Sequence, residues 1–226
     1  MKSLLATALL ALGLPLVLTN GVFAAPVTFA QFDLGNGLTY TDSGSASTLT
    51  ETSQVNLSCL DPGCAGVGTA ATLTLSSGGS GPAGSLFGGL IDVQSLGAGT
   101  LTVTLDTPYQ GETNFLTIGF SAVQIVGGNG GSDFSIASTG TTSFSSDFLN
   151  YTAVGFQLNS SDADPPLTID GNGYLESFTA DTTGSFYGTP SATPLPPSLA
   201  LFVSGLSAIG LLGWRRKRKN AATAAV

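Results

Sequence analysis

Histidine is absent from the 226-residue sequence, and lysine and arginine are almost confined to its C-terminal end. The six basic residues are Lys2 and the consecutive block Arg215, Arg216, Lys217, Arg218 and Lys219. Residues 25–197 therefore contain no cationic side chain, while all fourteen acidic residues lie among them, a formal net charge of −14. A chain of this kind stays soluble through self-repulsion and avoids anionic surfaces.

These absences exclude most catalytic and nucleic-acid-binding arrangements. Without histidine, lysine or arginine there is no imidazole base, no Schiff base and no bidentate clamp for phosphate. Nucleic acid is not an expected partner, because no cation can displace counterions from its phosphates. Paired carboxylates, as in glycoside hydrolases, remain as a catalytic option. Carbohydrate clefts usually also contain tryptophan, and the only one, Trp214, lies outside this stretch. We therefore predict no enzymatic activity and no cofactor.

The N-terminus has the pattern of a secretory signal peptide. Lys2 supplies a positive charge, residues 4–18 are apolar, and the triplet Val-Phe-Ala ends at Ala24. These features predict a signal peptide at residues 1–24, with cleavage between Ala24 and Ala25. The alternative is a retained first transmembrane helix, but polar residues interrupt the apolar run early. Residues 25–197 are expected outside the cytoplasm.

Short runs of alternating apolar and polar residues fill residues 25–181, separated by turns rich in glycine, asparagine and proline. Apolar side chains take every second position at 72–75, 100–105 and 154–158. This period of two predicts half-buried strands, and no helical period of useful length occurs here. We predict one all-β domain at 25–181, a β-sandwich or jelly roll. With lysine absent, its edge strands are expected to be protected by aspartate, glycine or bulges.

Two further patterns within the domain indicate local sites. Cys59 and Cys64, the only cysteines, frame a turn, and in an oxidising compartment they predict a local disulfide rather than a reactive pair. Asp162, Asp164 and Asp170 supply oxygen ligands on turns, which calcium prefers. Their spacing does not fit an EF-hand loop, so calcium is a weak hypothesis and solvated acidic turns are the simpler interpretation.

The C-terminus combines a proline-rich joint, an apolar segment and a basic stop. Residues 182–197, rich in threonine, serine and proline, are predicted to be a linker, and residues 198–214 a transmembrane helix. Residues 198–213 carry no charge, and the helix reaches a length of about 30 Å when it runs from residue 195 to 214. Trp214 suits the headgroup level, and the basic block holds residues 215–226 in the cytoplasm. The alternative is a buried amphipathic helix.

This tail resembles a PEP-CTERM sorting signal. The motif Pro194, Leu195 and Pro196, the glycine-rich apolar run and the basic cluster match the family's order, in the variant where Pro-Leu-Pro replaces Pro-Glu-Pro. The resemblance covers residues 194–219 only. It implies a Gram-negative envelope, processing by an exosortase, which is a membrane-embedded, cysteine transpeptidase-like enzyme, and a destination at the cell surface or among exopolysaccharide. Leu195 replaces an acidic residue, and seven residues follow the basic block.

Three functions remain open from the sequence. The first is a non-enzymatic surface or extracellular-matrix protein, associated with exopolysaccharide or biofilm and sorted by its tail. The second is a β-domain that binds carbohydrate or calcium through loop carboxylates and aromatic residues. The third is a carboxylate-based hydrolase. If the tail is never cleaved, the chain is instead a plain single-pass membrane-anchored surface protein.

Overall fold

The structure, a computed structural model, describes residues 25–191. Ten β-strands and one 3-10 turn at Pro62–Cys64 make up this part of the chain, which contains no α-helix. The all-β prediction is therefore confirmed. The strands are β1 (Val27–Thr41), β2 (Thr48–Cys59), β3 (Ala70–Gly78), β4 (Gly84–Leu86), β5 (Ile91–Leu96), β6 (Gly99–Tyr109), β7 (Glu112–Gly128), β8 (Phe134–Ser145), β9 (Tyr151–Asp164) and β10 (Phe178–Pro190).

Eight of these strands close into an antiparallel barrel, where the sequence predicted a sandwich or jelly roll. The order around the ring is β7, β6, β3, β2, β1, β10, β9 and β8, and β8 pairs with β7 again. Closure depends on the 17-residue β7, which pairs with β6 and then β5 along one edge and with β8 along the other. Closure pairs most of the strand edges that were expected to need protection by aspartate, glycine or bulges, although β8 pairs with β9 only from Phe134 to Ala137.

The barrel interior is filled by the inward-facing side chains of the alternating strands. In β2, every second residue from Leu49 to Leu57 is buried, and the residues between them are exposed. Because successive side chains of a strand point to opposite faces, this alternation divides the apolar core from a threonine- and serine-rich exterior. The largest fully buried side chains include Tyr40, Phe29, Phe32, Phe115, Phe120, Phe156 and Phe186.

The predicted boundary between domain and linker at residue 182 is wrong. Strand β10 continues to Pro190 and pairs with β1 on one side and β9 on the other. Small residues gave this stretch the composition of a linker, but its alternate side chains, among them Thr182 and Phe186, are buried in the barrel. The described part of the predicted linker is therefore mainly barrel wall, and what remains of the linker prediction begins after β10.

The two ends of the barrel carry different features. Residues at the start of β1 pair with the end of β10, as in Val27 with Gly188, so both termini of the domain lie at one end. The 59–64 loop follows β2 at this same end. At the other end, β4 and β5 form a hairpin outside the ring, paired to the last residues of β7.

Two predicted segments lie outside the described residues, namely the signal peptide at 1–24 and the transmembrane helix with its basic tail at 198–226. Within residues 25–191, the structure has no helix long and apolar enough to cross a membrane.

Candidate functional site

A polar groove runs across the outer surface where β1, β10 and β9 lie side by side. Register shifts in β1, on both sides of Gly35 and Asn36, distort the barrel wall here. The groove has a volume of about 520 Å³. Its lining residues are Gly35, Asn36, Asp133, Asn159, Ser160, Ser161, Asp181, Thr182 and Thr183.

The groove offers hydrogen bonds and negative charge, and no aromatic side chain is among its lining residues. Its exposed amides are Asn36 and Asn159, and its exposed carboxylates are Asp133 and Asp181. A smaller depression of about 290 Å³ shares Asn36 and Asp181 and extends the groove to Asp162. Amides both donate and accept hydrogen bonds, whereas ionised carboxylates only accept them. Such a surface suits a neutral ligand rich in hydroxyl groups and repels anions.

A buried carboxyl lies beneath the groove, inside the barrel. Glu51 on β2 accepts hydrogen bonds at Oε1 from Ser53 Oγ at 2.8 Å and from Thr182 Oγ1 at 2.6 Å. Its other oxygen, Oε2, is buried without a partner. Burial raises the pKa of Glu51, and the hydrogen bonds from Thr182 and Ser53 oppose this shift. Gly35 leaves the space for this group, since a Cβ there would stand 2.6 Å from Oε1.

Glu51 was not predicted as a site residue from the sequence, although a signal was present. Glu51 occupies an inward position in the alternating pattern of β2, between the buried Leu49 and Val55. An acidic residue at a core position of an otherwise regular strand requires a hydrogen-bonding partner. That partner, Thr182, lay in the segment that was interpreted as a linker.

A second buried polar cluster holds the hairpin against the barrel. Tyr40 Oη donates to Gln94 Oε1 at 3.1 Å, and the Leu175 backbone N–H donates to the same oxygen at 2.9 Å. Ser85 Oγ donates to Asp92 Oδ1 at 2.7 Å, while Asp92 Oδ2 is buried without a partner. Burial raises the pKa of Tyr40 above its ordinary value, so the hydroxyl keeps its proton, and its role as a hydrogen-bond donor, further into the alkaline range. The contacts of Gln94 fasten β5 and the segment before β10 to the barrel, and the contact between Ser85 and Asp92 joins β4 to β5 within the hairpin.

The three calcium candidates do not come together. Asp170 folds its own turn, since Oδ1 accepts from the backbone N–H groups of Tyr174 at 2.8 Å and Asn172 at 2.9 Å. The hydrogen bond from Tyr174 is the main reason that the pKa of Asp170 is lowered. Asp162 and Asp164 lie at the end of β9. Within residues 25–191, no three acidic or cysteine side chains are grouped closely enough to hold a metal ion.

The predicted disulfide is confirmed. Cys59 and Cys64 are bonded, with their Cα atoms 6.3 Å apart, and they close the loop after β2. Asp61 in this loop accepts a hydrogen bond from the hydroxyl of Tyr151, at the start of β9. Burial, followed by the contact with Asp61, raises the pKa of Tyr151 to about 12. The disulfide therefore belongs to a loop that is tied to the barrel wall.

Aromatic residues do not line the groove. Most of them pack inside the barrel, for example in the stacked pair Phe29 and Tyr151, whose ring centroids are 4.4 Å apart. The arrangement of aromatic residues with carboxylates on one concave face, which would favour a carbohydrate-binding domain, is absent from the groove. Its two carboxylates lie on an open surface rather than in a deep cleft.

The sorting motif Pro194, Leu195 and Pro196 lies just beyond the described residues, as do Trp214 and the basic block. No protein-family model, curated protein or solved structure matches this chain.

Proposed function

We propose that the chain is a non-enzymatic exported protein of the cell surface or extracellular matrix, associated with exopolysaccharide or biofilm. One observation carries the proposal. Residues 25–191 form a barrel with a packed interior, and their exterior bears mostly neutral polar and acidic side chains, with a few apolar ones and without a single cation. This surface supports a role in a hydrated polymer, because it is soluble, repels anions and provides hydroxyl and amide groups for hydrogen bonds.

We expect delivery to depend on the tail. The position at which β10 ends determines how many residues separate the barrel from the sorting motif. Strand β10 ends at Pro190, so only residues 191–193 separate the barrel from Pro194. An exosortase would therefore act close to the folded domain. Prolines at the motif favour an extended backbone without local hydrogen bonds, which suits a protease-like groove. The basic block would present this joint at the outer face of the inner membrane.

Changing both motif prolines, Pro194→Ala with Pro196→Ala, is expected to leave membrane insertion intact but block release. The precursor then accumulates in the inner membrane, because the apolar segment and basic stop are unchanged. Immunoblots of fractionated cells report the size and location of the protein. Pro197→Ala, which changes a neighbouring proline outside the motif, is the matched control and should be released normally.

Equal release of the double variant and the wild type would contradict the sorting signal. The prolines would then be only a linker, and a plain single-pass membrane-anchored surface protein would be the better conclusion. Replacing the five cations by glutamine is expected to have a different effect, poor insertion or slippage of the tail through the membrane, which separates the motif from the stop.

A second candidate function is carbohydrate binding, and the polar groove favours it. Amides and carboxylates from β1, β9 and β10 converge there, and such groups recognise sugar hydroxyls through hydrogen bonds. Without an aromatic residue in the lining, affinity for a single sugar would be low. Binding would then depend on repeated contacts along a neutral polymer such as exopolysaccharide.

Asn159→Ala with Asp181→Ala is expected to weaken co-sedimentation with neutral exopolysaccharide about thirtyfold, since each of the two lost hydrogen bonds contributes roughly 1 kcal/mol. The control is Asp33→Ala with Asn56→Ala, a carboxylate and an amide that pair across β1 and β2 and are exposed outside the groove. Equal loss in both double variants would point to general surface polarity, and no loss in either would remove the groove as a binding site.

A further inference from the structure

Three asparagine residues between 25 and 191 are each followed by glycine, and the structure holds the three glycines differently. The pairs are Asn36 with Gly37, Asn129 with Gly130, and Asn172 with Gly173. All three asparagine side chains are exposed. An Asn-Gly step leaves the asparagine amide open to attack by the next backbone nitrogen, because glycine has no side chain to block the approach and its backbone is conformationally free.

The chemistry that such a step permits is deamidation. The glycine backbone nitrogen loses its proton and attacks Cγ of the asparagine, which forms a new C–N bond and a succinimide ring. The side-chain nitrogen leaves as ammonia and takes up the proton. Water then opens the ring at either carbonyl and gives aspartate or isoaspartate. The net reaction exchanges an amide for a carboxylate and consumes only water.

In two of the three steps, a hydrogen bond protects the attacking nitrogen. The Gly130 N–H donates to the Leu167 carbonyl oxygen at 2.7 Å, and the Gly173 N–H donates to the Asp170 carbonyl oxygen at 3.1 Å. The amide of Asn172 is held as well, because Nδ2 donates to Asp170 Oδ2 at 2.8 Å. These hydrogen bonds must break before the nitrogen can lose its proton and turn toward the side chain.

The third step lies at an irregularity of β1. Pairing of β1 with β10 passes from Asn36 directly to Leu38 and skips Gly37. Pairing of β1 with β2 is interrupted between Asp33 and Thr39. A bulge leaves its extra residue unpaired and disrupts the ladder around it. Gly37 therefore has no partner residue in the register of either ladder, although it lies within a strand.

We propose that Asn36 is the principal site of spontaneous deamidation in residues 25–191 and that the reaction changes the charge of the groove. Asn36 lines both the groove and the smaller depression beside it. Its partner across the ladder of β1 and β10 is Asp181, which is also exposed in the groove. Deamidation therefore places two carboxylates opposite each other on one face of the sheet, an arrangement that destabilises a strand pair.

The reaction makes the groove a surface that changes with the age of the molecule. An amide both donates and accepts hydrogen bonds, whereas the carboxylate that replaces it only accepts them. The isoaspartate product also lengthens the main chain of β1 by one methylene group. Because no step reverses the change, binding of a neutral polymer weakens as the protein ages. This consequence rests on the carbohydrate binding proposed for the groove, whereas the reaction itself does not.

Peptide mapping of the aged protein tests the site. The purified full chain is kept at mildly alkaline pH and then digested with chymotrypsin, because residues 25–191 contain no lysine or arginine for trypsin. Mass spectrometry measures the exchange of NH2 for OH at each asparagine. We expect Asn36 to react about tenfold faster than Asn129 and Asn172, the difference that one protecting hydrogen bond makes to a rate.

The same chain unfolded in urea is the control for the effect of neighbouring residues in the sequence. There the three steps lack their folded surroundings, so we expect their rates to converge. Equal rates in the folded chain, or a faster reaction at Asn129 or Asn172, would overturn the proposal. A preference for Asn36 that persists in urea would overturn it too, because the bulge would then have no part in the selectivity.

Two substitutions of Asn36 measure the effect on the groove. Asn36→Asp reproduces one product, and we expect it to sediment with neutral exopolysaccharide about fivefold more weakly than fresh wild type, since one donor is lost. Asn36→Gln forms the cyclic intermediate more slowly, so it is expected to lose less binding on ageing than the wild type, each compared with its own fresh sample. Equal losses on ageing would assign the change to another residue and contradict the effect on the groove.

A measurement without polymer separates this proposal from that of carbohydrate binding. In the Asn36→Asp chain, Asp181→Asn removes the opposed carboxylate, and we expect it to lower the equilibrium constant for unfolding about threefold relative to its effect in the wild type. The absence of this coupling would contradict the opposed carboxylates. If neither fresh nor aged protein sediments with the polymer, the groove fails as a binding site, whereas peptide mapping still decides whether Asn36 is the modified residue.

Discussion

Replacing Phe186 by alanine is expected to lower the free energy of unfolding by about 3–5 kcal/mol. Phe186 lies in β10 with no exposed surface, and its ring centroid is 5.7 Å from that of Phe32 and 6.4 Å from that of Phe29. Its removal leaves a cavity that the rigid barrel wall cannot close, because β10 is held by strands on both sides. Urea denaturation followed by circular dichroism measures the loss.

Thr183→Ala in the same strand is the matched control. Thr183 is exposed on the outer face, so its truncation is expected to change stability by no more than about 0.5 kcal/mol. The comparison tests the corrected domain boundary directly. If residues 182–190 were a linker, both variants would unfold like the wild type, and that result would contradict the position of β10.

Glu51→Gln is expected to remove a specific loss of stability at rising pH. Burial raises the folded pKa of Glu51 above its ordinary value of 4.5, so the folded state binds this proton more tightly than the unfolded state. Its stabilising effect is complete below the unfolded pKa and is lost as pH rises from there through the folded pKa. Within that window, one such group changes stability by at most about 1.4 kcal/mol per pH unit.

Glutamine reproduces the neutral form of this side chain. Its carbonyl oxygen can still accept the hydrogen bonds of Ser53 and Thr182, whereas the unpartnered Oε2 no longer becomes a buried charge. The difference in unfolding free energy between the variant and the wild type, measured from pH 4 to 8, isolates Glu51 from the other carboxylates. A constant difference would mean that Glu51 titrates alike in both states. Glu176→Gln, at an exposed position, is the control.

Sequence periodicity predicted where strands lie, but it did not predict that they close into a barrel. The alternating runs now in β3, β6 and β9 are strands with the expected faces, because side-chain period is a local property. Which strand pairs with which is not local. The barrel closes through the pairing of β7 with β8, and nothing in either strand's pattern distinguishes this partner from the others.

The error at β10 and the missed site have related physical causes. Gly184 looks like a linker residue, yet a Cβ there would stand 2.8 Å from Leu158 Cδ2, so the glycine reflects close packing against the core. The groove joins residues from β1, β9 and β10 that are far apart in sequence, so no short sequence motif predicts it. Only Glu51 could have been identified from the sequence, as an acidic residue at an inward position of the alternating pattern of β2.

The placement of β10 has a mechanical consequence. The chain leaves the barrel from the end of β10, whereas the hairpin tip lies at the opposite end. Tension applied between these two points runs along the strands and shears β10 against β1 and β9 together. Under shear, the hydrogen bonds of both ladders share the force, whereas peeling a strand from its end would break them one after another. In a molecule held at its C-terminal side and pulled at its tip, both ladders of β10 would therefore resist the loss of this strand at once.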